Sequence, residues 1–204
     1  MRVGGVNLDG ILELPPGAKS VIVFAHGSGS GRFSPRNNYV ASVLRNSGIG
    51  TLLFDLLTNM EDQVYENRFD IDLLAERLGG ATDWLLEKKE GVSVGYFGAS
   101  TGAAAALVAS VKRPEVAAIV SRGGRPDLAW DYLGSVKAPT LLIVGGHDTD
   151  VLLLNEKALD QLTVRKKLVV IPGATHLFEE PGTLEEVSKV AASWFTKFLK
   201  GISA

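Results

Sequence analysis

The sequence predicts an α/β protein, a mostly parallel sheet of about 7–8 strands with helices on both faces. Three observations carry this. Short apolar runs alternate with helical patterns over most of the 204 residues. Several of those runs are continuously apolar, as strands covered on both faces are. Gly-, Asp- and His-bearing loops follow the ends of the runs.

Taken in order, the chain opens with two short strands near Arg2–Val6 and Asp9–Leu14, and Pro15-Pro16-Gly17 turns it. Ser20–Ala25 reads as a buried strand, followed by the glycine-rich loop His26 to Arg32. A helix over Asn37–Ser47 stops at Gly48, and Gly50–Phe54 is the next strand, ending at Asp55. Leu56 to Arg68 is polar and irregular, the one candidate for a small flap. Ile71, Leu74, Leu78, Ala81 and Leu85 then recur at three- and four-residue steps, which places them on one helical face. Val92–Phe97 is a strand and a helix starts at Thr101. Strands follow at Ala117–Ser121, Thr140–Val144 and Lys167–Ile171, with a helix near Leu152–Leu162. The last helix carries Leu184, Val187, Val190, Ala191, Trp194, Phe195, Phe198 and Leu199 on one stripe, between Pro181-Gly182 and Gly201. No stretch is long enough for a separate lid, and a single domain over residues 1–204 is expected.

Composition narrows the function classes. Apolar residues make up 46% and charged residues 22%, ordinary for a soluble protein. A net charge of −2 gives no electrostatic case for nucleic acid or an anionic membrane. With no cysteine there is neither a disulfide nor a thiolate ligand or nucleophile. No apolar run approaches the roughly 18 residues of a membrane span, and the N-terminus lacks the core of a signal peptide. A cytoplasmic location is expected.

Gly98-Ala99-Ser100-Thr101-Gly102 is the most informative stretch. An apolar strand, G-x-S-x-G and a helix former in succession are the context of a nucleophile elbow. The serine sits on a sharp turn that lifts its hydroxyl clear of the sheet, and the flanking glycines let helix and strand approach. An acid and a histidine should follow in that order. Asp148 lies just past Thr140–Val144, and His176 just past Lys167–Ile171. Ser100, Asp148 and His176 thus share the strand-end edge where open α/β sheets bind ligands. Asp150 and Asp127 are rival acids, with Asp150 more naturally a cap for a helix beginning near Val151.

The chain resembles the α/β-hydrolase superfamily, and within it the small, lidless, dienelactone-hydrolase-like group. The resemblance rests on His26-Gly27-Ser28-Gly29, the elbow, Gly145-Gly146-His147-Asp148 and Gly173-Ala174-Thr175-His176. It implies Asp148 as the acid. The run Val120 to Ala129 also resembles hydrolase domains attached to phosphoribosyltransferase domains, and no such partner domain is expected in these 204 residues. Enzymes named for dienelactone hydrolysis usually carry a cysteine nucleophile, so Ser100 points to a plain esterase.

These residues point to acyl transfer. Ser100 attacks a carbonyl, His176 takes and returns the proton, and Asp148 fixes the histidine tautomer. Oxyanion donors are expected from the N–H of Thr101 and from the loop after the third strand, Ser28 first and Gly27 next. Arg122 and Arg125 follow the sixth strand and offer guanidinium groups for a carboxylate or phosphate on the substrate, the alternative being salt bridges. Arg32, Arg36 and Arg68 lie in other loops and are further candidates for the same edge. His26 is expected to shape the oxyanion loop and His147 to pack beside the acid loop. No metal-binding spacing is present and no cofactor is expected. Gly27 to Gly31 lacks a following Lys-Ser/Thr, which disfavours nucleotide binding. A serine hydrolase of small esters or lactones is therefore expected, its partner a small molecule. A thioesterase or acyltransferase on the same residues, a lyase using His176 as base, and a non-catalytic binding module are the alternatives.

Overall fold

The computed structural model describes residues 1–199. Its elements are β1 (Arg2–Val3), β2 (Val6–Asn7), β3 (Gly10–Glu13), β4 (Ser20–Ala25), α1 (Pro35–Asn46), β5 (Gly50–Phe54), α2 (Asn59–Asp62), α3 (Ile71–Lys88), β6 (Ser93–Ala99), α4 (Thr101–Val111), β7 (Val116–Arg122), β8 (Thr140–Gly145), α5 (Thr149–Gln161), β9 (Lys166–Ile171) and α6 (Thr183–Phe198). Two 3-10 stretches cover Tyr65–Phe69 and Pro126–Ser135.

Seven strands form one sheet in the order β3-β5-β4-β6-β7-β8-β9. Only β3 runs antiparallel, against β5. All other neighbours pair in parallel, so β4, β6, β7, β8 and β9 deliver their C-terminal ends to one edge. Every residue of β4, β5 and β8 is buried, as expected of strands covered on both faces. The helices bury two cores, one on each sheet face. Leu74, Leu78, Ala81 and Leu85 of α3 join α4 on one face. Val40 and Leu44 of α1 meet Val187, Ala191 and Phe195 of α6 on the other. Each fully buried leucine contributes about 1.5–3 kcal/mol, so Leu78→Ala should be among the costliest changes on α3. Leu199, on the expected stripe, falls just past the helix end yet stays buried. Gly201 lies outside the described residues. No described helix is long and apolar enough to cross a membrane.

Local chemistry shifts several boundaries. The opening run is not one strand but the hairpin β1–β2, because Gly4 and Gly5 take positive φ between them. Helix α1 starts before Asn37: Ser34 is the N-cap, its hydroxyl accepting from Asn37 N–H, and Pro35 is preset for the first turn. Asp70 caps α3 by accepting from Leu73 N–H. The Leu56–Arg68 segment is ordered. Thr58 and Glu61 form a reciprocal capping box on α2, and Glu61 also holds the Arg77 guanidinium at 2.7 Å.

Candidate active site

The elbow connects β6 to α4. Ser100 adopts φ 52°, ψ −121°. A residue with a Cβ rarely takes this conformation, and its cost is of order 1–3 kcal/mol. The turn is clamped: Ser100 N–H donates to Arg122 O at 3.2 Å, and Ser100 O accepts from Arg125 N–H at 3.1 Å. The flanking glycines are sterically required. A Cβ on Gly102 would sit 2.2 Å from Ala25 O, and one on Gly98 2.4 Å from Ala103 Cα.

Ser100 and His176 line one recess of about 200 Å³, together with Gly27, Ser28, Arg36 and Arg122 among others. His176 Nδ1 lies 2.6 Å from Asp148 Oδ2. An ionised carboxylate can only accept, so Nδ1 carries the proton and Nε2 is left for proton transfer. Asp148 occupies the N-cap position of α5 but makes no capping bond there. Helix α5 begins at Thr149, so Asp150 is not its cap. Asp150 is an exposed first-turn residue, near the positive end of the helix dipole. Asp127 is committed elsewhere, paired with Arg125 through bonds of 2.7 and 2.8 Å.

The oxyanion candidates are placed unequally. Thr101 is the first residue of α4, where backbone N–H groups have no helical carbonyl to meet. Gly27 packs against Ser100, since a Cβ there would sit 3.1 Å from Ser100 Cβ. Ser28 N–H donates to Thr101 Oγ1 at 2.9 Å. The loop is fastened beneath by His26, whose Nε2 accepts from Leu56 N–H at 3.0 Å and whose Nδ1 donates to Gly27 O at 3.0 Å. Burial lowers the His26 pKa, keeping the ring neutral. His147 is exposed.

The two candidate arginines separate. Arg125 is absent from the recess and its fork is filled by Asp127. Arg122 is 6% exposed and lines the recess. Its Nη2 donates to Asn37 Oδ1 at a long 3.4 Å, and its guanidinium stands 5.7 Å over the Phe178 ring. Arg32 pairs with Asp55, and Arg68 with Asp62. Asn37, the expected first residue of the helix, is buried beside Arg122. Its place after Ser34-Pro35 in the first turn of α1 was the available signal. Among the described residues no group of three His, Asp or Glu could hold a metal ion. A larger groove of about 660 Å³ lies between α3 and α4 and is lined by none of the candidate site residues.

A mostly parallel sheet with an elbow serine at its central strand end is the α/β-hydrolase fold, here with no lid among the described residues. The sequence profile of the dienelactone hydrolase family matches residues 45–202, and the chain belongs to that family. It is similar to a dienelactone hydrolase from Anabaena variabilis, at 57% identity over 97% of this chain and 95% of that one, with a TM-score of 0.93. A Mycobacterium tuberculosis protein named "Putative phosphoribosyl transferase" is 58% identical over 201 residues, or 97% of this chain. The chain spans 45% of that relative's length. Est1E from Butyrivibrio proteoclasticus shares the fold at 17% identity, with a TM-score of 0.82 over 97% of each chain.

Proposed function

We propose that this hydrolase cleaves small carboxylic esters or lactones through an acyl-enzyme on Ser100. The observation that carries the reading is the strained elbow of Ser100 in the same recess as a histidine whose Nδ1 is bonded to Asp148.

Ser100 Oγ adds to the carbonyl carbon while His176 Nε2 accepts its proton. Asp148 stabilises the resulting imidazolium. The carbonyl oxygen becomes an oxyanion held by the Thr101 N–H and a donor from the Gly27–Ser28 loop. Ser28 N–H contributes by sharing or exchanging its bond with Thr101 Oγ1. Collapse expels the alcohol, which takes the proton from His176. Water then attacks the acyl-enzyme with His176 as base, releasing the acid and restoring Ser100. Thioester cleavage would use the same groups, so substrate panels should include acyl thioesters.

The test is turnover of 4-nitrophenyl acetate by wild type and Ser100→Ala. The alanine variant should lose at least about a thousandfold in kcat, as removal of triad nucleophiles does elsewhere. Turnover within tenfold of wild type would remove Ser100 from the role.

A further inference from the structure

Arg122 is a buried cation without a counter-ion. None of the described acidic residues pairs with it, and its Nε has no hydrogen-bond partner. What surrounds it holds it in place but does not neutralise it. Asn37 supplies one long bond and Phe178 a ring face. Phe178 itself takes φ 55°, a left-handed conformation that is an outlier for a bulky residue. The strain presents an aromatic face, not a carboxylate. The neighbouring charge is repulsive: Arg36 lines the same recess, bridged to the exposed Glu179 at 3.0 Å. Burial first, then Arg36, lowers the Arg122 pKa to about 10, still protonated at neutral pH.

A third positive feature converges here. Ser34 and Asn37 at the start of α1 also line the recess, and the first turn of that 12-residue helix contains no acidic residue. Helix starts of this kind favour anions. Burying an unpaired charge is costly, and such costs collect at sites that bind something.

We infer that Arg122, with Arg36 and the start of α1, forms a subsite for an oxyanion carried by the substrate, so that the preferred esters bear a second, anionic group, carboxylate or phosphate. This rests on the esterase reading above, since the subsite opens onto the same recess as Ser100. The guanidinium supplies a planar fork for two oxygens, and the start of α1 adds the positive end of its dipole from another direction.

The test compares three 4-nitrophenyl esters of matched length: the neutral pentanoate, the hydrogen succinate and the 3-phosphonopropanoate. For wild type, kcat/KM for at least one anionic ester should exceed that for the pentanoate by tenfold or more, mainly through KM. Arg122→Met should bring that ratio close to one, and Arg36→Gln should lower it by less. A carboxylate-only or phosphonate-only preference names the anion. Turnover of the pentanoate with no preference for either anion overturns the subsite and leaves the esterase reading standing. Binding is read independently from melting temperature in succinate and in inorganic phosphate. At least one should raise that of wild type more than that of Arg122→Met. If none of the three esters is cleaved, the esterase reading fails, and equal or absent melting shifts then overturn the subsite too. Arg122→Met should melt no lower than wild type, because a hydrophobe replaces an unpaired charge. If it does not fold, Arg122→Lys replaces it. That variant keeps the charge but loses the fork, and should cut the ratio severalfold.

Discussion

Asp148 Oδ2 lies 2.6 Å from His176 Nδ1, although Asp148 stands where a capping residue of α5 would stand. Aspartate is among the best N-caps, and giving up a capping bond costs about 1 kcal/mol. The carboxylate spends its hydrogen bonding on the histidine instead. The Asp148 carboxylate is thus fixed by the end of β8 behind it and a helix start ahead of it.

Asp148→Asn should retain the fold and lose up to about 10⁴ in kcat, because an amide no longer favours the Nδ1–H tautomer. Asp150→Asn should keep most of the activity, since Asp150 is exposed and makes no cap bond. Both variants are compared at saturating 4-nitrophenyl acetate between pH 6 and 9. A crippled Asp150→Asn beside an active Asp148→Asn would move the acid two residues along the chain.

The strain at Ser100 resides in φ, and alanine keeps a Cβ in that same conformation. Relief therefore requires glycine. Ser100→Gly should melt above Ser100→Ala, by roughly 2–4 °C for each kcal/mol relieved in a domain of this size. Equal melting temperatures by calorimetry would show that the elbow stores no backbone strain.

What was legible in the sequence was whatever repeated in the sheet. The buried strand β4 announced itself as a continuous apolar run, its parallel neighbours as shorter apolar stretches, and the elbow as a motif with both flanks in place. What was not legible depended on side chains choosing between partners. Nothing in Gly145-Gly146-His147-Asp148-Thr149-Asp150 says that α5 starts at Thr149 and leaves Asp150 out of its cap. The Thr58–Glu61 capping box was present in the string, yet polar surroundings made the segment look like loose loop. Arg122 and Arg125 look equivalent as text. Only the alternation of β7, which turns Arg122 inward toward Asn37, and the reach of Asp127 separate them.

His26 should make the protein sensitive to acid. Its folded pKa lies below its ordinary value of 6.5 because burial disfavours the charged ring. The unfolded chain then takes up a proton near pH 6.5 and the folded chain only at lower pH. The stability is fully present above 6.5 and falls as pH drops below it, by up to about 1.4 kcal/mol per unit for one proton. Urea unfolding at pH 7.5 and 5.5 should show a larger loss for wild type than for His26→Gln. Identical losses would mean that His26 is protonated in the folded state.

The recess of about 200 Å³ is small and lined mostly by polar residues. Acetyl and butyryl esters should therefore be turned over faster than palmitoyl esters, without activation at a lipid interface. Initial rates across a graded series of 4-nitrophenyl esters decide this, and a palmitoyl optimum would require a long apolar channel elsewhere.

The most direct measurement of the central claim is where a fluorophosphonate goes. Such a probe phosphonylates only a serine whose hydroxyl is activated by a base. Intact mass followed by peptide mapping should show one adduct, on the peptide carrying Ser100, formed much more slowly in Asp148→Asn. An unlabelled protein, or an adduct on another serine with Ser100 unmodified, would contradict the account.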